Sequence, residues 1–463
     1  MTLSASLLLT CLTLVSAAPG GTLTLDQALR EAKEKNLDLK AAHARLLQAH
    51  EISGKVWANY LPQIALGASY TRNQYGAAID MPTGYYIRDV GSPAMGGPAF
   101  DPTQPIGPEN PPGAPSNYVM YPSGYDAITI QKKDQLGAQV SVSQALIAPA
   151  LWPAIQNAYV AEEVAELGVA NAENELLFAV AQLYYGAASL KEVVGVQERL
   201  LENARTREKD AKVRVDAGTV PPIFLIRAQI DRARAEQDLL RAQNAFASAR
   251  VALSTLLDRD ADFDVVRPAD PEAGAMSADL GDRVDDRPDV RLVRRSLDLA
   301  EGSRDGVWYK YLPNLGLQGT WRVANMKGFT DAYDAWAITL GLSWTLWDGG
   351  AREIELRESR AKLMEAELTR QATERKARDE VVRARLDLDS ARAARIKADE
   401  QRRLAQENMR LVTVSYQSGA ATQVELSDAT TALAAAEVGA VAEALNAQLA
   451  ALRVQKAVGA FRP

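Results

Sequence analysis

One cysteine, Cys11, and two histidines, His43 and His50, are all that 463 residues hold of the most versatile metal ligands and catalytic side chains. Cys11 lies in an apolar N-terminal stretch, so the rest of the chain can build neither a disulfide framework nor a thiolate site. His43 and His50 fall on one helical pattern and read as helix-face residues, not ligands. No His-Glu-x-x-His, phosphate loop or nucleophile elbow occurs, so no enzyme activity, metal or cofactor is expected. Charge of one sign is lacking too: 52 Lys+Arg face 59 Asp+Glu, for a net charge of −7. Nucleic acid needs a concentrated basic face and is not an expected partner. Past the N-terminus no apolar run approaches the ~18 residues of a spanning helix. If this chain crosses a membrane, it does so with β-strands.

Residues 3–17 are apolar and end in small residues, with Val15 and Ala17 at the positions that precede cleavage. Residues 1–17 therefore read as a secretory signal. Thr10 before Cys11 and the apolar residues after it argue against a lipid anchor.

What the chain does have is a duplication. Val56-Trp57-Ala58-Asn59-Tyr60-Leu61-Pro62 returns as Val307-Trp308-Tyr309-Lys310-Tyr311-Leu312-Pro313, an offset of 251. Leu37-Asp38-Leu39 matches Pro288-Asp289-Val290 at the same offset. Ser143-Gln144-Ala145-Leu146 then returns as Ser343-Trp344-Thr345-Leu346 at an offset of 200, and Ala217-Gly218-Thr219 as Ser418-Gly419-Ala420 at 201. The first copy spans 22–257 and the second 288–459, and the first carries 51 extra residues between Pro62 and Ser143.

Each copy has one plan. A helix (about 27–56, about 289–309) stops at Leu-Pro, because the residue before proline leaves the α region. Two alternating runs follow, with Ile64, Leu66, Ala68 and Tyr70 facing Leu136, Ala138, Val140 and Val142 in the first copy. In the second, Leu315, Leu317, Gly319, Trp321 and Val323 accompany Trp336, Ile338, Leu340, Leu342, Trp344 and Leu346. Period two marks strands. A long helix comes next (about 150–216, about 350–417), reversed near Gly218 or Gly419 into a return helix with an alanine-rich seam on steps of 3 and 4. That period predicts antiparallel coiled-coil hairpins. Residues 73–132, rich in Pro, Gly and Tyr, read as a long loop between two strands. Residues 258–287, rich in Asp, read as a solvated linker between the copies.

Four strands cannot close a barrel, and open sheet edges are not tolerated in lipid. Two chains would make eight strands with a filled interior, whereas three make twelve and leave a channel. The expected fold is mixed, mainly α: a trimeric twelve-stranded β-barrel with four strands per chain and long helical hairpins.

On these segments the chain resembles the TolC-like outer-membrane efflux protein family. They are Leu23-Thr24-Leu25-Asp26-Gln27-Ala28-Leu29, Asn36-Leu37-Asp38-Leu39, the paired Tyr-Leu-Pro stretches, Leu346-Trp347-Asp348-Gly349-Gly350, the two tips and Asp428-Ala429-Thr430-Thr431. The resemblance implies an α-helical barrel in the periplasm that continues the β-barrel of the outer membrane. It also implies a passive duct of a tripartite efflux or type I secretion system, a periplasmic adaptor and an inner-membrane transporter. It puts 73–132 outside the cell and the 258–287 linker at the equator. Gly218, Thr219, Gly419 and Ala420 fall where the family's tips meet the adaptor. Tyr416, Glu425 and Asp428 fall at its periplasmic gate, and Glu425 and Asp428 also share a helix face by their spacing. Pro221-Pro222-Ile223-Phe224 and Ala421 replace polar and basic gate partners, so closure should rest on packing. The competing reading is a non-conducting trimeric stalk or adaptor protein of the envelope.

Intact mass of the protein isolated from membranes should give a chain that starts at Ala18 and carries no acyl group. An acylated N-terminal Cys11 would overturn the signal reading.

Overall fold

The computed structural model describes residues 21–89, 118–271, 282–327, 332–459 and 461. The signal segment 1–17 with Cys11, and the middle of the expected loop with Pro111-Pro112-Gly113, lie outside them. In chain order the elements are β1 (Thr22–Leu23), α1 (Leu25–Lys35), α2 (Leu37–Ala58), β2 (Gln63–Arg72), β3 (Ala77–Asp89), β4 (Tyr118–Gln131) and β5 (Asp134–Ile147). Then come α3 (Leu151–Asp216), α4 (Ile223–Leu257), β6 (Asp264–Val265), α5 (Pro288–Tyr309), β7 (Asn314–Ala324), β8 (Asp334–Ser343), α6 (Ala351–Gln417) and α7 (Gln423–Ala457). They form two units, a helical one and a sheet unit made of Lys55–Pro153 and Gly306–Gly350.

In the sheet unit β2, β5, β7 and β8 form one antiparallel sheet in that order. Its register repeats the two sequence offsets: Gln63 pairs with Ser143 and Asn314 with Ser343, while Tyr70 pairs with Leu136 and Trp321 with Trp336. The two hairpins are thus one structure used twice, and the inserted residues lie entirely at the tip of the first. The expected loop over 73–132 is corrected here. Its stems are strands, β3 paired with β4, and they prolong the β2–β5 hairpin. Proline and glycine hid them, yet the same Pro-Ser/Thr-Gly-Tyr run occurs in both: Pro82 pairs with Tyr125, Gly84 with Gly124 and Tyr85 with Pro122.

The helical unit holds two long hairpins. α3 and α6, at 66 and 67 residues, each reach roughly 100 Å at 1.5 Å per residue. Along α6 the buried positions Ala377, Val381, Ala384 and Leu388 advance by 4, 3 and 4. They pack on Ala450, Ala451, Val454 and Ala457 of α7, so the expected seam is the buried one. Small residues there let the backbones approach, which is knobs-into-holes geometry. The expected helix over about 27–56 is two helices. The Asn36 Oδ1 accepts from the Leu39 N–H and its Nδ2 donates to the Leu256 carbonyl, so this buried side chain ends α1 and starts α2.

The linker is also more than solvated chain. Phe263 and Val265 are buried in the main core with Leu23, Leu29, Tyr184, Leu253 and Leu257, and β6 pairs in parallel with β1. Asp264, between Phe263 and Val265, is half-buried and meets Lys191 at 2.7 Å. Arg287, at the other end, is buried against Asp289, Glu380 and the Ala457 carbonyl. Alternation of apolar and acidic residues, not net acidity, decides this segment.

The Tyr184 hydroxyl lies 2.7 and 2.8 Å from the Leu23 and Val266 carbonyls and shares its one proton between them, which ties β1 and the end of β6 to α3. Tyr184→Phe should cost about 1–2 kcal/mol, since the buried Leu23 carbonyl and the part-buried Val266 carbonyl lose their donor. The denaturant midpoint of the detergent-solubilised protein, followed by circular dichroism, measures this.

Candidate functional site

Away from its charged end rows, each face of the four-stranded sheet has one chemistry. Register sets Leu66, Val140, Trp321 and Trp336 in one row, and Ile64, Val142, Gly319 and Ile338 in the next. Leu66, Trp336, Ile338 and Leu340 are 77%, 73%, 68% and 62% exposed. An apolar face this continuous marks contact with lipid or protein, not water. The opposite face carries Gln63, Ser143, Gln318 and Thr339 in one row and Ala65, Ser141, Thr320 and Ala337 in the next. Two hollows, of about 470 and 440 Å³, open along this polar side. Beside the Leu-Pro ends of β2 and β7, Trp57 packs on Tyr60 and Trp308 on Tyr311, with ring centroids 6.2 and 5.7 Å apart. The Trp344 indole donates to the Tyr311 carbonyl. Among the described residues no helix is long and apolar enough to cross a membrane.

The tips of the helical unit turn on glycine. Gly218 and Gly419 have φ of +68° and +78°, the left-handed region that ends helices. The Thr219 N–H and its hydroxyl both donate to the Arg214 carbonyl, and the Ala420 N–H donates to the Ser415 carbonyl. These bonds satisfy the last carbonyls of α3 and α6.

The three expected gate residues separate into three environments. The Arg214 guanidinium lies 5.5 Å from the centre of the Tyr416 ring, so Tyr416 packs on the other hairpin of its own chain. The Glu425 carboxylate turns back on Thr422, accepting from its N–H at 2.6 Å and its hydroxyl at 2.9 Å, while the Thr422 hydroxyl accepts from the Glu425 N–H. That reciprocal pair starts α7. The bond from the Thr422 backbone, then that from its hydroxyl, holds the Glu425 carboxyl below the usual range. Asp428 instead lines a hollow with Arg227, Asp231 and Ser427. Within one chain, Glu425 is therefore occupied as a cap, and its pKa moves down, not up as mutual repulsion with Asp428 would require.

An unforeseen row of arginines on α3 joins the hairpins. Arg199 approaches Glu437 at 3.5 Å, Arg207 donates to the Thr430 hydroxyl at 2.6 Å, and Arg214 covers Tyr416. Burial pushes the Arg207 pKa down, and Asp231 opposes that shift. Arginines so spaced look like an ordinary solvated helix face in sequence, and only the second hairpin gives them partners. His50 Nδ1 lies 2.6 Å from Glu162, whose hydrogen bond raises the His50 pKa. Among the described residues no group of three or more His, Cys, Asp or Glu could hold a metal ion.

Comparisons with known proteins agree with this architecture. Residues 283–460 match the sequence model of the family described as outer membrane efflux protein. The fold is similar to that of the outer membrane protein VceC from Vibrio cholerae, with a TM-score of 0.70 at 19% identity over 94% of this chain and 96% of that one. It is similar to CusC, with a TM-score of 0.74 at 15% identity over 96% and 95% of the two chains. A membrane protein from Pseudomonas aeruginosa gives a TM-score of 0.73 at 16% identity over 94% and 90%. No curated protein sequence matches the chain.

Thr422→Ala should loosen the second tip by about 1 kcal/mol, the usual worth of an N-cap. Because the folded Glu425 pKa is depressed, its share of the stability is present above the ordinary carboxylate range and is lost as pH falls through the lowered value. Hydrogen exchange across 418–430 should speed up in Thr422→Ala at neutral pH, and in wild type only in acid. Equal protection of both proteins at neutral pH would remove the cap from this account.

Proposed function

We propose that this chain, a TolC-like outer-membrane efflux protein by the match over its second copy and by its fold, is one third of a passive export duct. The observation that carries this reading is an open four-stranded sheet with one apolar, exposed face and one polar, hollowed face. Lipid accepts the apolar face and water fills the polar one. Neither accepts the free edges of β2 and β8 at membrane depth, since a backbone donor or acceptor there has no partner. The strand number per chain is even, so β8 of one protomer runs antiparallel to β2 of the next and the meander continues. Three protomers give twelve strands, and strands of 10 to 14 residues match the ~9–11 tilted residues that cross a bilayer. The aromatic pairs Trp57–Tyr60 and Trp308–Tyr311 suit a lipid–water boundary.

The helical hairpins extend this duct into the periplasm. Their tips, at Gly218, Thr219, Gly419 and Ala420, meet a periplasmic adaptor, through which the duct serves an inner-membrane transporter. The β3–β4 hairpin stands on the cell's outer face. Tyr416 and the arginine row hold the tips together, and Asp428, with Glu425 behind it, lines the entrance in three copies. Closure rests on ring packing and on part-buried hydrogen bonds such as that of Arg207 to Thr430, so it should respond weakly to ionic strength.

The protein should fractionate with the outer membrane as a trimer that dissociates on heating, and should form channels in planar bilayers. Glu425→Ala/Asp428→Ala should conduct more than wild type and lose block by millimolar divalent cation on the periplasmic side. A folded protein that never conducts would return the non-conducting stalk. Unchanged conductance and block would remove these two carboxylates from the entrance.

A further inference from the structure

The four strands of the sheet contain four charged residues: Arg72, Asp134, Arg322 and Asp334. Arg72 pairs in register with Asp134, and Asp334 with Val323, which puts all three on the apolar side. Arg322 alone is on the polar side. Its row reads Gly67, Gln139, Arg322, Ala335, so its neighbours across both strands are neutral and mostly small. The rows next to it hold Ala65, Ser141, Thr320 and Ala337 on one side and Ser69, Gly137 and Ala324 on the other, where the Ala324 N–H donates to the Tyr333 carbonyl. Arg322 is exposed and borders the 470 Å³ hollow together with Gly67, Ser69 and Gln139. Arginine is cationic, and among the described residues of the four strands no acid shares its face of the sheet.

We propose that Arg322 sets the ion preference of the β-barrel: three copies, one from each protomer, form a ring of fixed positive charge that favours anions, binds polyvalent anions and repels cations. This rests on the closure of three sheets around their polar faces proposed above. Given that closure, symmetry puts the three charges at one level of the lumen. A ring of like charges in an otherwise neutral wall is how pores discriminate by sign. Three unit charges about 10 Å from the axis, screened by salt, change the anion-to-cation permeability ratio about threefold. The cargo such a wall suits is anionic, and a compact multiply charged anion gains from all three guanidinium groups at once.

Reversal potentials of the purified trimer in planar bilayers under a potassium chloride gradient test this directly. Arg322→Gln should lower the chloride-to-potassium permeability ratio about threefold relative to wild type, and Arg322→Lys should keep it. Inorganic tripolyphosphate added at the outer face should reduce current through wild type and Arg322→Lys but not through Arg322→Gln. Arg322→Cys, assembled first and then modified, separates charge from folding: a cationic thiol reagent should restore anion preference and an anionic reagent should reverse it. If Arg322→Gln and both modified forms conduct with wild-type reversal potential and tripolyphosphate block, the ring is overturned while the duct stands. If wild type gives no conductance at all, duct and ring fall together.

Discussion

A backbone N–H or C=O at the free edge of a sheet costs several kcal/mol when no water or peptide can reach it. The sheet of this protein has two such edges, β2 and β8, and one side too apolar for water. Neither feature can be satisfied within one chain. Assembly around the polar face satisfies both, because it pairs each edge with a neighbour and gives the apolar side to lipid. The duplication suits this solution. Two hairpins of identical register, separated by a helical hairpin, contribute the four strands, so a threefold assembly repeats one local geometry six times. The extra hairpin β3–β4 disturbs nothing, since it prolongs β2 and β5 without touching the pairing of β5 with β7.

The helical unit obeys a different constraint. Helices of about 100 Å have no core thick enough to bury them on all sides, so their stability comes from narrow seams. Alanine brings α6 and α7 close where Ala377 and Ala384 meet Ala450 and Ala457, and Val454, Leu388 and Val381 fill the layers between. Toward the tips this apolar packing thins, and polar contacts take over. There the hairpins are tied by Arg199, Arg207 and Arg214, and the reversals are closed by glycine and by the Thr422–Glu425 pair. Local stability should fall where buried apolar contacts give way to exposed hydrogen bonds. A segment of that kind is what an opening entrance needs.

The two units also differ in electrostatic character. The polar side of the sheet is neutral apart from Arg322, whereas the second tip begins with two carboxylates on its first turns. In one chain Glu425 is spent on its helix cap, which leaves Asp428 beside Arg227 and Asp231 as the acid with a free role. If both sets of charges line the proposed duct, its selectivity is a sum of a positive and a negative contribution made by different units, and each can be altered alone.

Much of this was legible in the residues themselves. The offsets of 251 and 200 predicted two copies of one plan, and the strand register follows the same offsets, because strand pairing is set by a period of two that any one-residue slip would destroy. The alanine seams, the Gly218 and Gly419 reversals and the apolar faces were legible for the same reason: periodicity and φ preferences are local properties. The β3–β4 strands were not, since proline and glycine weaken every strand signal and only the partner strand supplies the missing bonds. The linker core was not, because two apolar residues among aspartates acquire meaning only when α3 and β1 cover them. Nor could spacing alone separate Glu425 from Asp428. Three residues apart they share a helix face, and which carboxylate caps, which faces Arg227 and which arginine reaches across to Tyr416 depends on where the other hairpin lies. Local geometry is written in neighbouring residues; the partner of a charge is decided by chain that arrives from far away.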